Sequence, residues 1–108
     1  MDKNIYEYNF ALYNGKVEMN DFLNSLNSQE QAKIISYMDK LVELLNIHEF
    51  PNEKLSKYLR DGIFELRVKL KNTTSRSLYF FMSDKNVIFT HGFIKKTEKR
   101  QNMKLIKL

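Results

Sequence analysis

Between residues 65 and 96 the chain places Glu65, Arg67, Lys69, Arg76, His91, Lys95 and Lys96 among apolar residues, and Lys99 and Arg100 follow at once. A guanidinium offers phosphate oxygens a planar fork of donors, and an ammonium group adds a compact charge. Side chains of these types gathered on one surface would hold an anionic ligand. For RNA, Phe93 supplies a plane on which a base can stack, as does Tyr79 if it reaches the same surface. The plainer alternative is that Arg67 and Lys69 coat the solvent side of a half-buried sheet and that His91 is a packed histidine. Arg76 fits that alternative least, because it interrupts a very apolar run.

Whether these residues meet depends on the elements that carry them. From Leu59 onward the hydrophobic period is two: Phe64, Leu66, Val68 and Leu70 alternate with Glu65, Arg67 and Lys69. Turns at 71–74 and 83–86 then separate strands over 76–82 and 87–94, an antiparallel meander. Pairing Leu70 with Ser75 sets Lys69 opposite Arg76 and Arg67 opposite Leu78. Pairing Met82 with Val87 sets Leu78 opposite His91 and Arg76 opposite Phe93. Glu65, Arg67, Lys69, Arg76 and His91 then share one face, with Lys95 and Lys96 at its edge, and a slip of one residue in either turn disperses them.

Upstream, the alternating aromatic stretch 5–13 is read as a strand closed by Asn14-Gly15. Phe22, Leu23 and Leu26 indicate a short helix after Asn20. Ser28-Gln29-Glu30-Gln31 has the form of a capping box. Ile34, Met38, Leu41 and Leu45, widened by Ile35 and Val42, give a helix of about five turns ending near Phe50-Pro51. Thr97 can cap a final helix bearing Met103, Leu105, Ile106 and Leu108. The expected architecture is α+β: a small antiparallel sheet in the order β-α-α-β-β-β-α, with helices packed on one face.

The totals agree with one domain spanning 1–108. No cysteine is present, which excludes disulfides and thiolate metal sites. No apolar run reaches membrane-spanning length and no signal-peptide pattern opens the chain, so a cytoplasmic location is expected. The net charge of +5 is unevenly held: residues 1–50 carry 4 Lys+Arg against 8 Asp+Glu, and residues 51–108 carry 14 against 5. A basic half joined to an acidic half suits a protein with one face toward a polyanion.

The stretches KLSKYLRDGIFELRVKL and SRSLYFFMSDKNVIFTHGFIKKTEK, closely over residues 54–99, resemble the phage-derived branch of the RelE/HigB toxin superfamily. The pairing of Phe64-Glu65-Leu66-Arg67 with Phe93-Ile94-Lys95-Lys96-Thr97 carries the resemblance. It implies a RelE/ParE-like fold and the toxin of a type II toxin–antitoxin module. Such toxins enter the ribosome and cut mRNA, with the RNA 2′-hydroxyl as nucleophile and no metal or other cofactor. By position, Arg67, Lys69 and Arg76 match the family's basic residues on adjacent strands, and Lys95 and Lys96 match the pair after the last strand, with Lys99 beyond. Glu65 and His91 are the acid–base candidates, because the C-terminal Tyr of the RelE prototype has no counterpart and the chain ends at Leu108, before the longer basic helix of many relatives. The implied partners are a helix-turn-helix antitoxin (HigA-like), the ribosome and mRNA. Two alternatives stay open at this point: a ParE-like gyrase inhibitor, and a non-catalytic phage protein that binds RNA or a partner.

Overall fold

The computed structural model describes residues 5–96, so Lys99 and the expected Thr97-capped helix lie outside the described residues. The elements are β1 (Glu7–Phe10), α1 (Glu18–Asn24), α2 (Ser28–Asn46), β2 (Ser56–Arg60), β3 (Ile63–Lys69), β4 (Thr73–Met82) and β5 (Asn86–Lys96). They build an α+β structure with one five-stranded sheet in the order β1-β5-β4-β3-β2. The expected all-antiparallel sheet is corrected to a mixed one, since β1 lies parallel to β5. Nothing local in 5–13 signals this, because the partner strand is about eighty residues away. The strand itself is also shorter than expected, and Asn14-Gly15 closes only a bridge between Tyr13 and Lys16.

The second correction is β2, a strand missed in the sequence. Asp61 and Gly62 both take positive φ (53° and 80°), the left-handed pair that a tight two-residue hairpin needs, and join β2 to β3. Asp-Gly between apolar residues is the strongest short hairpin signal, and it stood in the sequence.

Helix α2 starts one residue earlier than the Ser28 box implied. Asn27 is the cap: its Oδ1 accepts from the Glu30 amide at 2.8 Å, and Glu30 Oε1 accepts from the Asn27 amide at 3.2 Å. Asn outcompetes Ser here because its carbonyl reaches the amide three residues on. The helix ends at Asn46, short of Phe50-Pro51, and His48 turns the chain with φ 61°. The stripe Ile34, Met38, Leu41 and Leu45 is buried as its spacing requires.

These side chains meet Leu66, Val68, Tyr79, Val87 and Phe89 on one face of the sheet. Helix α1 adds Met19 and Leu23, and lays Phe22 against β5. That crossing needs Gly92: a Cβ there would stand 2.5 Å from a Phe22 ring carbon, well inside contact distance. Tyr79, stacked on Phe64 at 5.3 Å, is therefore core rather than a platform for a base. The outer face carries no other element among the described residues.

Tyr79 is 1% exposed and shares a 2.6 Å hydrogen bond with Ser56. Burial pushes its phenol up from 10.0 to about 12, partly offset by the Ser56 bond. A raised folded-state pKa means that the neutral phenol contributes full stability below pH 10 and loses it as pH rises towards 12. Between those limits urea unfolding should show stability falling by up to about 1.4 kcal/mol per pH unit from this group. Tyr79→Phe should show a shallower fall; parallel curves for the two proteins would refute the assignment.

Candidate phosphate-binding site

Three rows of side chains cross the outer face, and pairing register sets each of them. In the first, Lys57, Glu65, Leu78 and His91 stand on β2, β3, β4 and β5; in the second, Arg67, Arg76 and Phe93 stand on β3, β4 and β5. Lys69, Thr74 and Lys95 form the third. Directly paired residues project to the same side, so Glu65, Arg67, Lys69, Arg76, His91, Phe93 and Lys95 share a face. Lys96 does not: opposite Thr73, it falls on the helix side, one step out of phase with Lys95.

The route to this face differs from the one expected. The turn after β3 is tighter by two residues, so Arg67 rather than Lys69 faces Arg76. A shift of two preserves parity, and the face survives. The turn after β4 is tighter by one, pairing Met82 with Asn86 instead of Val87. A one-residue slip would have sent His91 and Phe93 to the core. A bulge at Thr90 restores it: Tyr79 pairs with Phe89 but Leu78 with His91.

At the centre, one carboxylate oxygen serves two guanidiniums. Glu65 Oε1 accepts from Arg67 Nε at 3.0 Å and from Arg76 Nη1 at 2.9 Å. The Glu65 side chain is 6% exposed, against 27% for Arg67 and 20% for Arg76. Two like charges directly opposite in a ladder repel, and the shared carboxylate offsets that repulsion. Arg76 Nε is buried and finds no acceptor among the described residues. The arrangement is a cationic cradle of two partly exposed guanidiniums around one carboxylate, which suits a tetrahedral oxyanion.

His91 lies on the other side of Leu78, two strand spacings or about 10 Å from the strand of Glu65. Its Nδ1 is 3.1 Å from the Thr90 hydroxyl, and its ring lies 6.4 Å from that of Phe93. The bulge thus supplies both the placement of His91 and the group that engages one of its nitrogens. Thr90 and Lys57 are site residues that the sequence reading missed. Asp61-Gly62 would have revealed the strand of Lys57, but a register shift after Tyr58 would have misplaced it by one residue. Nothing local marks the bulge. Among the described residues no group of three or more His, Asp or Glu side chains is placed to hold a metal ion.

Residues 21–108 match the profile of the family described as Phage derived protein Gp49-like (DUF891). That span begins within α1 and covers every residue of the three rows. No curated protein matches the chain.

If Glu65 occupies the seat of an oxyanion, replacing it should open a phosphate site. Glu65→Ala should cost about 1–3 kcal/mol, less than for a fully buried pair because both arginines are partly exposed. Inorganic phosphate should then raise the melting temperature of Glu65→Ala more than that of wild type. Glu65→Gln, which keeps an acceptor oxygen, should fall between them. An equal phosphate response in all three would show that the cradle does not accept the ion.

Proposed function

The chain belongs to the Gp49-like family of phage-derived proteins, and from that premise we propose that it is the toxin of a type II toxin–antitoxin module, an endoribonuclease that cuts mRNA on the ribosome. The observation that carries this reading is the Arg67–Arg76 pair, set opposite each other by register and each left partly exposed. In the proposed reaction the 2′-hydroxyl of one nucleotide attacks the adjacent phosphate. The O2′–P bond forms, the P–O5′ bond breaks, and the products are a 2′,3′-cyclic phosphate and a free 5′-hydroxyl. The two guanidiniums stabilise the charge that builds on the phosphorane oxygens. Lys69 and Lys95 lie one row away and hold the flanking backbone, with Lys96 and Lys99 further along the chain.

His91 is assigned the base: Thr90 engages Nδ1, Nε2 takes the 2′-hydroxyl proton, and water donates the proton that the departing 5′-oxygen needs. Glu65 is assigned a positioning role: a carboxylate already committed to two guanidiniums orients them rather than moving protons. No step calls for a metal or an organic cofactor. In the cell, a basic face of this kind calls for neutralisation by an antitoxin with an acidic or amphipathic segment, and that complex should weaken with salt.

Induced expression in bacteria should arrest growth, and primer extension should find new 5′ ends inside translated messages. Arg67→Ala and Arg76→Ala should each lower cleavage by about 10²–10³, with circular dichroism unchanged. His91→Ala should lower it comparably. Glu65→Gln should keep most of the activity that Glu65→Ala loses, as expected of a positioning residue. Growth arrest with intact messages and reduced DNA supercoiling would replace this reading with gyrase inhibition. Binding of RNA without cuts would leave a binding protein.

A further inference from the structure

A second concavity adjoins the cradle. It lies beyond the Ser56 end of β2, where the Leu55 carbonyl accepts from the Arg67 amide, between β3, α2 and the 49–55 loop. Its volume is about 620 Å³, within the range of small-molecule sites. On α2, Lys33, Tyr37, Lys40 and Leu44 recur at spacings of four, three and four, a stripe beside the core stripe. Lys33 Nζ fastens this stripe to β3 by donating to the Lys69 carbonyl at 2.6 Å. Tyr37, Lys40 and Leu44 then line the groove, with Arg67 and Lys69 of β3 on the opposite side. The loop wall is braced by Asn52, whose Oδ1 accepts from the amides of Lys54 and Leu55.

Two features say what this groove takes. Its lining carries four cations, Lys40, Lys54, Arg67 and Lys69, against the single carboxylate of Glu49. It also carries Phe50, which stays 61% exposed while packing edge-on against Phe64 at 5.8 Å. An exposed, braced aromatic ring among cations is the composition of a single-stranded nucleic-acid site: charge follows the backbone and the ring stacks a base. Arg67 and Lys69 belong to both the groove and the outer-face rows, so a strand whose phosphate sits at Arg67–Arg76 has the groove as its next stop. We infer that this groove is a nucleotide subsite for single-stranded RNA, holding a nucleotide that flanks the scissile phosphate, with its base against Phe50 and its phosphate among Lys40, Lys54 and Lys69. The inference rests on the RNA reading above and extends the site around the edge of β3.

The test is fluorescence anisotropy with 5′-labelled oligouridylates of two to eight nucleotides at fixed low salt. For wild type, affinity should rise with length in a step as the strand reaches the groove. Phe50→Ala combined with Lys40→Glu should remove that step, weakening the octamer about tenfold or more. The dinucleotide should bind both proteins alike. Phe50 and Lys40 are exposed, and circular dichroism checks that the fold is kept. If the double variant binds the octamer as wild type does while Arg67→Ala and Arg76→Ala lose it, the groove inference falls and the RNA reading stands. If wild type binds no oligomer, or the arginine variants bind all of them normally, the RNA reading falls and takes the groove with it. If a polyglutamate peptide displaces the octamer at equal concentration and itself loses affinity in the double variant, the groove serves an acidic polypeptide and the inference is overturned.

Discussion

The outer face depends on one oxygen. Glu65 Oε1 stands between Arg67 and Arg76, residues that the β3–β4 register places directly opposite each other. Without a counter-charge, that register would press two guanidiniums together in a half-buried position, where water screens them poorly. With it, two neighbouring strands are tied on their outer side while Leu66, Val68 and Tyr79 tie them through the core. The carboxylate therefore links fold to site: it makes a repulsive pair tolerable, and it holds that pair in one orientation. Its cost is a site filled by its own side chain at rest.

The helix face meets the opposite demand. Ser75, Ser77 and Gly92 lie there along β4 and β5, all small, where larger residues would push the helices away from the sheet. Gly92 admits the ring of Phe22, and Ser77 Oγ is buried with no partner among the described residues. A hydroxyl so placed costs free energy, and its position directly opposite Gly92 shows that size, not polarity, decides the residue type. Close packing on this side seats α1 on β5 through Phe22 and Gly92, while His91 and Phe93 emerge on the other.

Much of this was legible in the sequence because sheet faces obey parity. Alternation in 64–70 separated Leu66 and Val68 from Glu65 and Arg67 without any knowledge of turns, and the spacing of Ile34, Met38, Leu41 and Leu45 located the core of α2. What parity cannot supply is turn length. The first turn is two residues shorter than expected, which leaves every side chain on its expected face but moves Arg67 opposite Arg76 and Lys69 opposite Thr74. The second was misjudged by one, and only the Thr90 bulge brought His91 back opposite Leu78. The face was thus reached through one harmless error and one that the fold itself cancels. Lys96 fell to the wrong side because a pair of adjacent lysines cannot share a strand face. β1 beside β5 rests on contacts such as Tyr8 and Phe10 against Phe89, which no local pattern announces.

On the proposed reading, the self-filled cradle also has a consequence for catalysis. A phosphodiester in its ground state carries one negative charge and must compete with the Glu65 carboxylate for the same two guanidiniums. The phosphorane that follows attack spreads more charge over its oxygens, so its pull on Arg67 and Arg76 is stronger than that of either competitor. Only interactions that strengthen between ground state and transition state raise the rate. A carboxylate that weakens ground-state binding while keeping both arginines aligned shifts their contribution toward the transition state. A bare pair of arginines would hold any phosphate tightly and gain less from the one that reacts.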